Sequence, residues 1–209
     1  MMAEVSVLAQ WKTNAQREGI LSYRELIRKG DAIEQRLRQN VTDTSSDVSL
    51  PNETIGEPDV AFPSGDVRAV VADLFKEAAI LYLHTVLSGP CPGECLVQRS
   101  GNRRLKILSG VMEIGKCVQN ITQALGCSPS EVERSVILPI TLAGCMASNS
   151  AQRDFLRGRF QAQNEGIGNL MQARALMEFV WQRRDANPLP GGVSLPETAQ
   201  EKNLRLLLI

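Results

Sequence analysis

The 209 residues carry 23 Lys plus Arg against 23 Asp plus Glu, a formal net charge of zero, which argues against a chain that grips phosphate backbones by itself. Hydrophobic residues at 43% and charged residues at 22% exclude a low-complexity composition and suffice for one sizeable core. No apolar run follows a basic start or approaches a bilayer span, and five cysteines without a paired framework suit reduced thiols, so an intracellular protein without a membrane segment is expected.

Val5 to Arg17 sets Leu8, Trp11 and Ala15 at helical spacing. Ser22 and Glu25 make a capping box, opening a second helix with the stripe Leu26, Gly30, Ile33 and Leu37. Residues 41–66 hold Asp43, Asp47, Glu53, Glu57, Asp59 and Asp66 with no Lys or Arg, and they are short of large apolar groups until Phe62. Such a segment buries too little surface to offset its ordering entropy, so an acidic flexible loop is expected there. From Val67 a helix carries Val70, Val71, Leu74, Ala78, Leu81 and Tyr82 on one face, with Ile80, Leu83 and Leu87 continuing around it, which predicts burial on several sides. Gly89-Pro90-Cys91-Pro92-Gly93 ends it.

Arg103 to Leu125 spaces Ile107, Val111, Ile114, Val118, Ile121 and Leu125 alternately by four and three, the seam of a helix packed along a neighbour, with Gly126 suited to the position after its end. Ser128-Pro129-Ser130-Glu131 starts another helix. Ser135 to Asp185 then reads as the stretch around which the chain is arranged. Its first helix, with Ile137, Leu138, Ile140, Leu142, Ala143 and Met146, is apolar nearly all round, and Pro139 must begin it or kink it. Ser150 is the expected cap of the next, with Phe155, Leu156 and Phe160, and Gly166 its stop. A third carries Leu170, Ala173, Met177, Val180 and Trp181 in one stripe. NPLPGG breaks the chain again, and Ser194, Pro196 and Glu197 open a last helix with Leu204, Leu207 and Leu208.

Little here advertises chemistry. Cys91, Cys95 and the sole histidine, His84, supply at most three local ligands where a structural zinc site takes four, so no metal ligand is assigned. Cys117, Cys127 and Cys145 lie in or beside helices and read as core thiols. His84 sits in an apolar helix and reads as a satisfied core histidine; a cleft in which it met acidic or thiol neighbours would argue for chemistry instead. GPCPGEC and GIGN lack the spacing and the preceding strand of phosphate loops. Arg153, Arg157, Arg159, Arg183 and Arg184 are matched by Asp154, Glu165, Glu178 and Asp185, which predicts surface pairing rather than a nucleic-acid patch. No catalytic residue, cofactor or DNA-contacting residue is assigned.

Six segments carry a family resemblance. LPITLAGCMAS, QRDFLRGRF and GNLMQARALMEFVWQRRD, preceded in order by LAQWK, LSYRELIRKGDAIEQRL and FKEAAILYLHTVL, resemble the later part of the fungal-specific transcription factor domain, the regulatory region of fungal zinc binuclear cluster factors. The resemblance implies a non-enzymatic nuclear protein that controls RNA polymerase II transcription and binds DNA, commonly as a dimer, through a separate zinc module. That module's six cysteines are not present in residues 1–209, so zinc and DNA contact are expected only outside them, as in a truncated chain. Protein partners, a homodimer among them, and a small-molecule effector are the expected ligands, with no membrane contact. Together the readings predict one all-α domain over residues 1–209, a curved stack of eight or nine antiparallel helices with little or no sheet. The alternatives are a helical interaction scaffold outside transcription and a helical enzyme with an unrecognised site.

Overall fold

The computed structural model describes residues 2–39, 64–88, 102–127, 135–161, 168–186 and 201. Seven helices make up these residues, with no strand among them: α1 (Met2–Arg17), α2 (Tyr23–Gln39), α3 (Ser64–Ser88), α4 (Asn102–Cys127), α5 (Ile137–Met146), α6 (Ser150–Gln161) and α7 (Gly168–Ala186). The expected helices beginning near Ser128 and Ser194 lie outside the described residues, apart from a helical Glu201, as do Cys91, Cys95, Gly166 and most of the acidic segment. Among the described residues no helix is long and apolar enough to cross a membrane.

The α1–α2 turn shows how local sequence closes a hairpin. Gly19 takes a φ of 70°. That left-handed residue lets Ile20 N donate to Ala15 O at 3.0 Å and Gly19 N donate to Gln16 O at 3.2 Å, satisfying carbonyls that the end of α1 would leave open. Ser22 Oγ then accepts from Glu25 N at 3.4 Å and starts α2. Only half of the capping box forms, because the Glu25 carboxylate lies 3.1 Å from Lys29 Nζ, one turn ahead. The two helices are further tied by Arg36 to Glu4 at 3.0 Å and by Lys29 Nζ 4.0 Å from the Trp11 ring centroid.

Helix α3 is the element on which α1, α2, α4 and α5 all pack. Its composition explains why: Ala78, Ala79, Ile80 and Leu81 are buried in succession, so every side of the helix is covered from Leu74 onward. It begins three residues before Val67, because Ser64 and Asp66 favour a helix start, so residues 64–66 belong to α3 and not to the acidic loop. Gly30 of α2 lets the α2 backbone approach α3, since a Cβ there would lie 2.6 Å from Leu87 Cδ2.

Helices α5 and α7 form the second centre. Residues Pro139 to Met146 are all buried, and α5 contacts α3, α4, α6 and α7. Pro139 occupies the third position of α5 and begins the helix without kinking it. Gly144 is the point of closest approach, since a Cβ there would stand 2.6 Å from Met177 Cε and Sδ. The Gly144 carbonyl oxygen accepts from Trp181 Nε1 at 2.9 Å and from Ala147 N at 3.1 Å. One small residue thus permits the contact and supplies the acceptor for the buried indole. Two local expectations are corrected. Asn149, not Ser150, caps α6, its Oδ1 accepting from Ala151 N at 2.8 Å, because an amide side chain one residue earlier reaches the open donor. Gly126 lies inside α4, which runs on to Cys127.

Candidate functional site: a polar junction of three helices

The sole histidine is where the interior departs from an apolar filling. His84 faces α2 and α4 from α3 and is only 6% exposed. Its Nε2 makes no hydrogen bond, although Glu34 Oε2 of α2 lies 3.5 Å away. Glu113 of α4 completes a group in which one ligand atom from each of Glu34, His84 and Glu113 lies within 4.8 Å of the others. His84 was expected to be satisfied; it is buried, and its Nε2 makes no hydrogen bond, the Glu34 carboxylate being held through its other oxygen by Arg38. Glu34 Oε1 accepts from Arg38 Nε at 2.9 Å and from its terminal nitrogen at 2.7 Å. Glu113 accepts from Lys116 Nζ at 2.7 Å and from Arg38 at 3.3 Å.

Each helix positions its residue for a simple reason. Glu34 follows the buried Ile33 and precedes the buried Leu37, so it stands at the edge of the α2 stripe. Glu113 holds the same edge position on α4, beside Ile114 and one turn before Cys117. Both acids are therefore shielded on one side and open to Arg38 and Lys116 on the other. Burial holds the His84 imidazole below its ordinary pKa, against the opposing pull of Glu34 and Glu113, so it is neutral near pH 7. Glu113 is held below its ordinary range chiefly by its hydrogen bond from Lys116. The arrangement brings a buried imidazole beside two carboxylates. No sequence spacing could reveal it, since the three residues come from three helices.

Other singled-out residues serve structure. Cys117 and Cys145 are buried, and burial pushes the Cys145 thiol up to about 12, which keeps it protonated and unreactive. The guanidinium groups on α6 and α7 pair as expected: Arg153 with Asp185 at 2.9 Å, Arg157 with Glu178 at 2.7 Å and with Asp154 at 2.6 Å. Arg153 and Arg157 also lie 5.6 and 5.1 Å from the Trp181 ring centroid, covering the outer side of the α5–α7 contact. Arg183 pairs with Glu201 at 2.7 Å.

A buried junction on a helical core does not by itself name a biological role, and comparison with known proteins supplies one. Residues 1–209 match the family described as the fungal specific transcription factor domain. The chain belongs to that family. Among similar proteins, the transcription factor dibT of Pestalotiopsis microspora is 28% identical over 202 residues, covering 88% of this chain and 28% of that protein. The trichothecene biosynthesis transcription regulator TRI10 of Trichoderma arundinaceum is 24% identical, covering 87% of this chain and 36% of that protein. The ustiloxin B cluster transcription factor ustR of Aspergillus flavus is 25% identical, covering 99% of this chain and 33% of that protein. The chain thus spans about a third of the length of the curated relatives it matches. No solved structure matches it. In this fungal-specific transcription factor domain, the α5–α7 centre falls on the LPITLAGCMAS and GNLMQARALMEFVWQRRD segments that carry the resemblance.

Proposed function

We propose that this domain is a non-catalytic regulatory unit of a nuclear fungal transcription factor, controlling RNA polymerase II transcription through its helical stack. The observation that carries the reading is the family match across residues 1–209, on a chain whose relatives are named as transcription factors and regulators. The physical support is a helical interior filled by apolar side chains, with α3 and α5 each packed on four other helices. A stack of this kind transmits a change at one helix to its neighbours through repacking, because close-packed interiors move in discrete steps. Its inputs are protein partners, a second copy among them, and a small effector lodged between helices. DNA recognition is assigned to a separate zinc module in the family and to no residue of this chain.

The test joins residues 1–209 to an unrelated DNA-binding module in a fungal reporter strain. Reporter output is expected to move at least several-fold, up or down, from that of the module alone. Unchanged output with a stably expressed fusion would favour an interaction scaffold outside transcription. In parallel, a gel shift with the isolated chain is expected to show no sequence-selective DNA binding. A tight, selective complex would overturn the assignment of DNA contact elsewhere.

A further inference from the structure

The junction of α2, α3 and α4 has a property that the regulatory reading does not use. A buried imidazole nitrogen without a hydrogen bond is an unfavourable end state in a folded protein, since it has given up water without gaining a partner. Such atoms call for an explanation, and a bound ion is one of the few available. His84 Nε2 points at Glu34 Oε2, 3.5 Å away, with Glu113 completing a triangle of donor atoms no more than 4.8 Å on a side. We propose that Glu34, His84 and Glu113 form a binding site for a divalent first-row transition ion of the zinc type.

The donor set selects the class of ion. One imidazole and two carboxylates suit zinc and its neighbours, whereas calcium and magnesium take oxygen ligands throughout. Donor atoms around zinc stand about 3–3.5 Å apart, so a side at the 4.8 Å limit must contract by roughly 1.5 Å. The side chains permit this: Glu34 and Glu113 lie at helix edges, each 22% exposed, and reach the site by rotation of long, flexible stems.

Arg38 and Lys116 now stand where the ion's charge would act, and both can yield, because they are 52% and 62% exposed and need only swing outward. The 3.3 Å contact from Arg38 to Glu113 Oε2 is the weakest of their bonds and the one to be lost. Arg38 on Glu34 Oε1 and Lys116 on Glu113 then remain as outer partners that orient the ligating carboxylates. The ion's two positive charges are matched by the two carboxylates. Bound there, the ion fastens the α1–α2 hairpin to the α3–α4 pair, so its presence alters the regulatory stack without adding catalysis.

The experiment uses the whole 209-residue chain, stripped with a chelator, dialysed and titrated with ZnCl2 against a chromophoric zinc indicator. Wild type is expected to take up one equivalent, and its melting temperature to rise by about 5 °C at a free zinc concentration near 100 times the Kd. Glu113→Gln, whose amide oxygen can still accept from Lys116 while its NH2 replaces the oxygen that faced Arg38, and His84→Gln should each weaken binding by roughly 100-fold. Cys91→Ser/Cys95→Ser should bind as wild type does, and Co2+ in place of zinc should give ligand-field bands without thiolate charge transfer. No zinc uptake at micromolar concentrations would overturn the proposal. So would binding lost in the double serine variant, or binding unchanged in Glu113→Gln. Should His84→Gln fail to fold by circular dichroism, Glu113→Gln decides alone, because its residue stands at the helix edge.

Discussion

The α5–α7 contact and the α2–α3–α4 junction solve the same packing problem in opposite ways. At the first, helix backbones meet at Gly144, and the deeply placed Trp181 indole N–H has an acceptor 2.9 Å away. At the second, Gly30 again allows close approach, but the polar group placed between the helices, His84, lacks a partner at Nε2 and is bordered by carboxylates. The first contact gives its buried indole N–H an acceptor, although Gln172 Oε1 elsewhere on α7 has none. The second retains an unfilled requirement and flexible charged neighbours. The difference teaches that close approach at a glycine can be combined either with a bonded polar group, as at α5 and α7, or with an unbonded one, as at α2, α3 and α4.

Removing Trp181 should have the largest effect. Trp181→Ala deletes a side chain that is 97% buried and an N–H bond to Gly144, and it should lower stability by about 3–5 kcal/mol in chemical denaturation. A loss below about 1 kcal/mol would show that the α5–α7 contact is not the firm half of the comparison. Gly144→Ala comes next. Its methyl group would meet Met177 at 2.6 Å, costing about 1–3 kcal/mol of strain against a helix-propensity gain of up to about 1 kcal/mol. A Met177→Ala background should remove that strain, and additive double-mutant behaviour would contradict the contact.

Alkaline pH sharpens the same half. Cys145 holds its proton to about pH 12 in the folded chain against 9.0 when exposed. Above pH 9 the unfolded chain has lost a proton that the folded chain keeps, so stability should fall with rising pH, by on the order of 1 kcal/mol between pH 9 and 10. Cys145→Ala should remove about half of the thiol contribution to that slope, because burial also raises the Cys117 thiol, measured by denaturation across pH 8–10. The smallest effect belongs to the polar junction. In metal-free protein, His84→Leu removes an imidazole whose Nε2 lacks a partner and should change stability by less than about 1 kcal/mol. A loss above about 2 kcal/mol would mean that the imidazole is well satisfied and the contrast between the two regions false.

How much of this the residues disclosed depends on whether a feature is carried by one helix or by several. The stripe Leu26, Gly30, Ile33 and Leu37 and the stripe Leu170, Ala173, Met177, Val180 and Trp181 are buried as their spacing predicts. The all-round burial of α3 and α5 likewise follows from apolar runs that leave no polar face. Ends were read less well. Gly19 was overlooked as a stop, and Asn149 displaced Ser150 as a cap, since neighbouring residues compete for the same open donors within a turn. The junction was the least legible feature. Glu34 and Glu113 look like ordinary edge charges within their own helices, and only the packing of α2 and α4 on α3 brings them to His84. That the Trp181 indole would bond to Gly144 was likewise invisible, because a backbone acceptor carries no side-chain signature.

The central claim is that the folded helical stack, rather than any single segment of it, carries control of transcription. Reporter output from the tethered 209-residue chain, measured at matched protein levels for wild type, Gly144→Ala and Trp181→Ala, tests this most directly. Output should return toward that of the DNA-binding module alone in the order of lost stability, with Trp181→Ala closest to it. Wild-type output from an unfolded Trp181→Ala chain would contradict the account and place the activity in a segment that works without the stack.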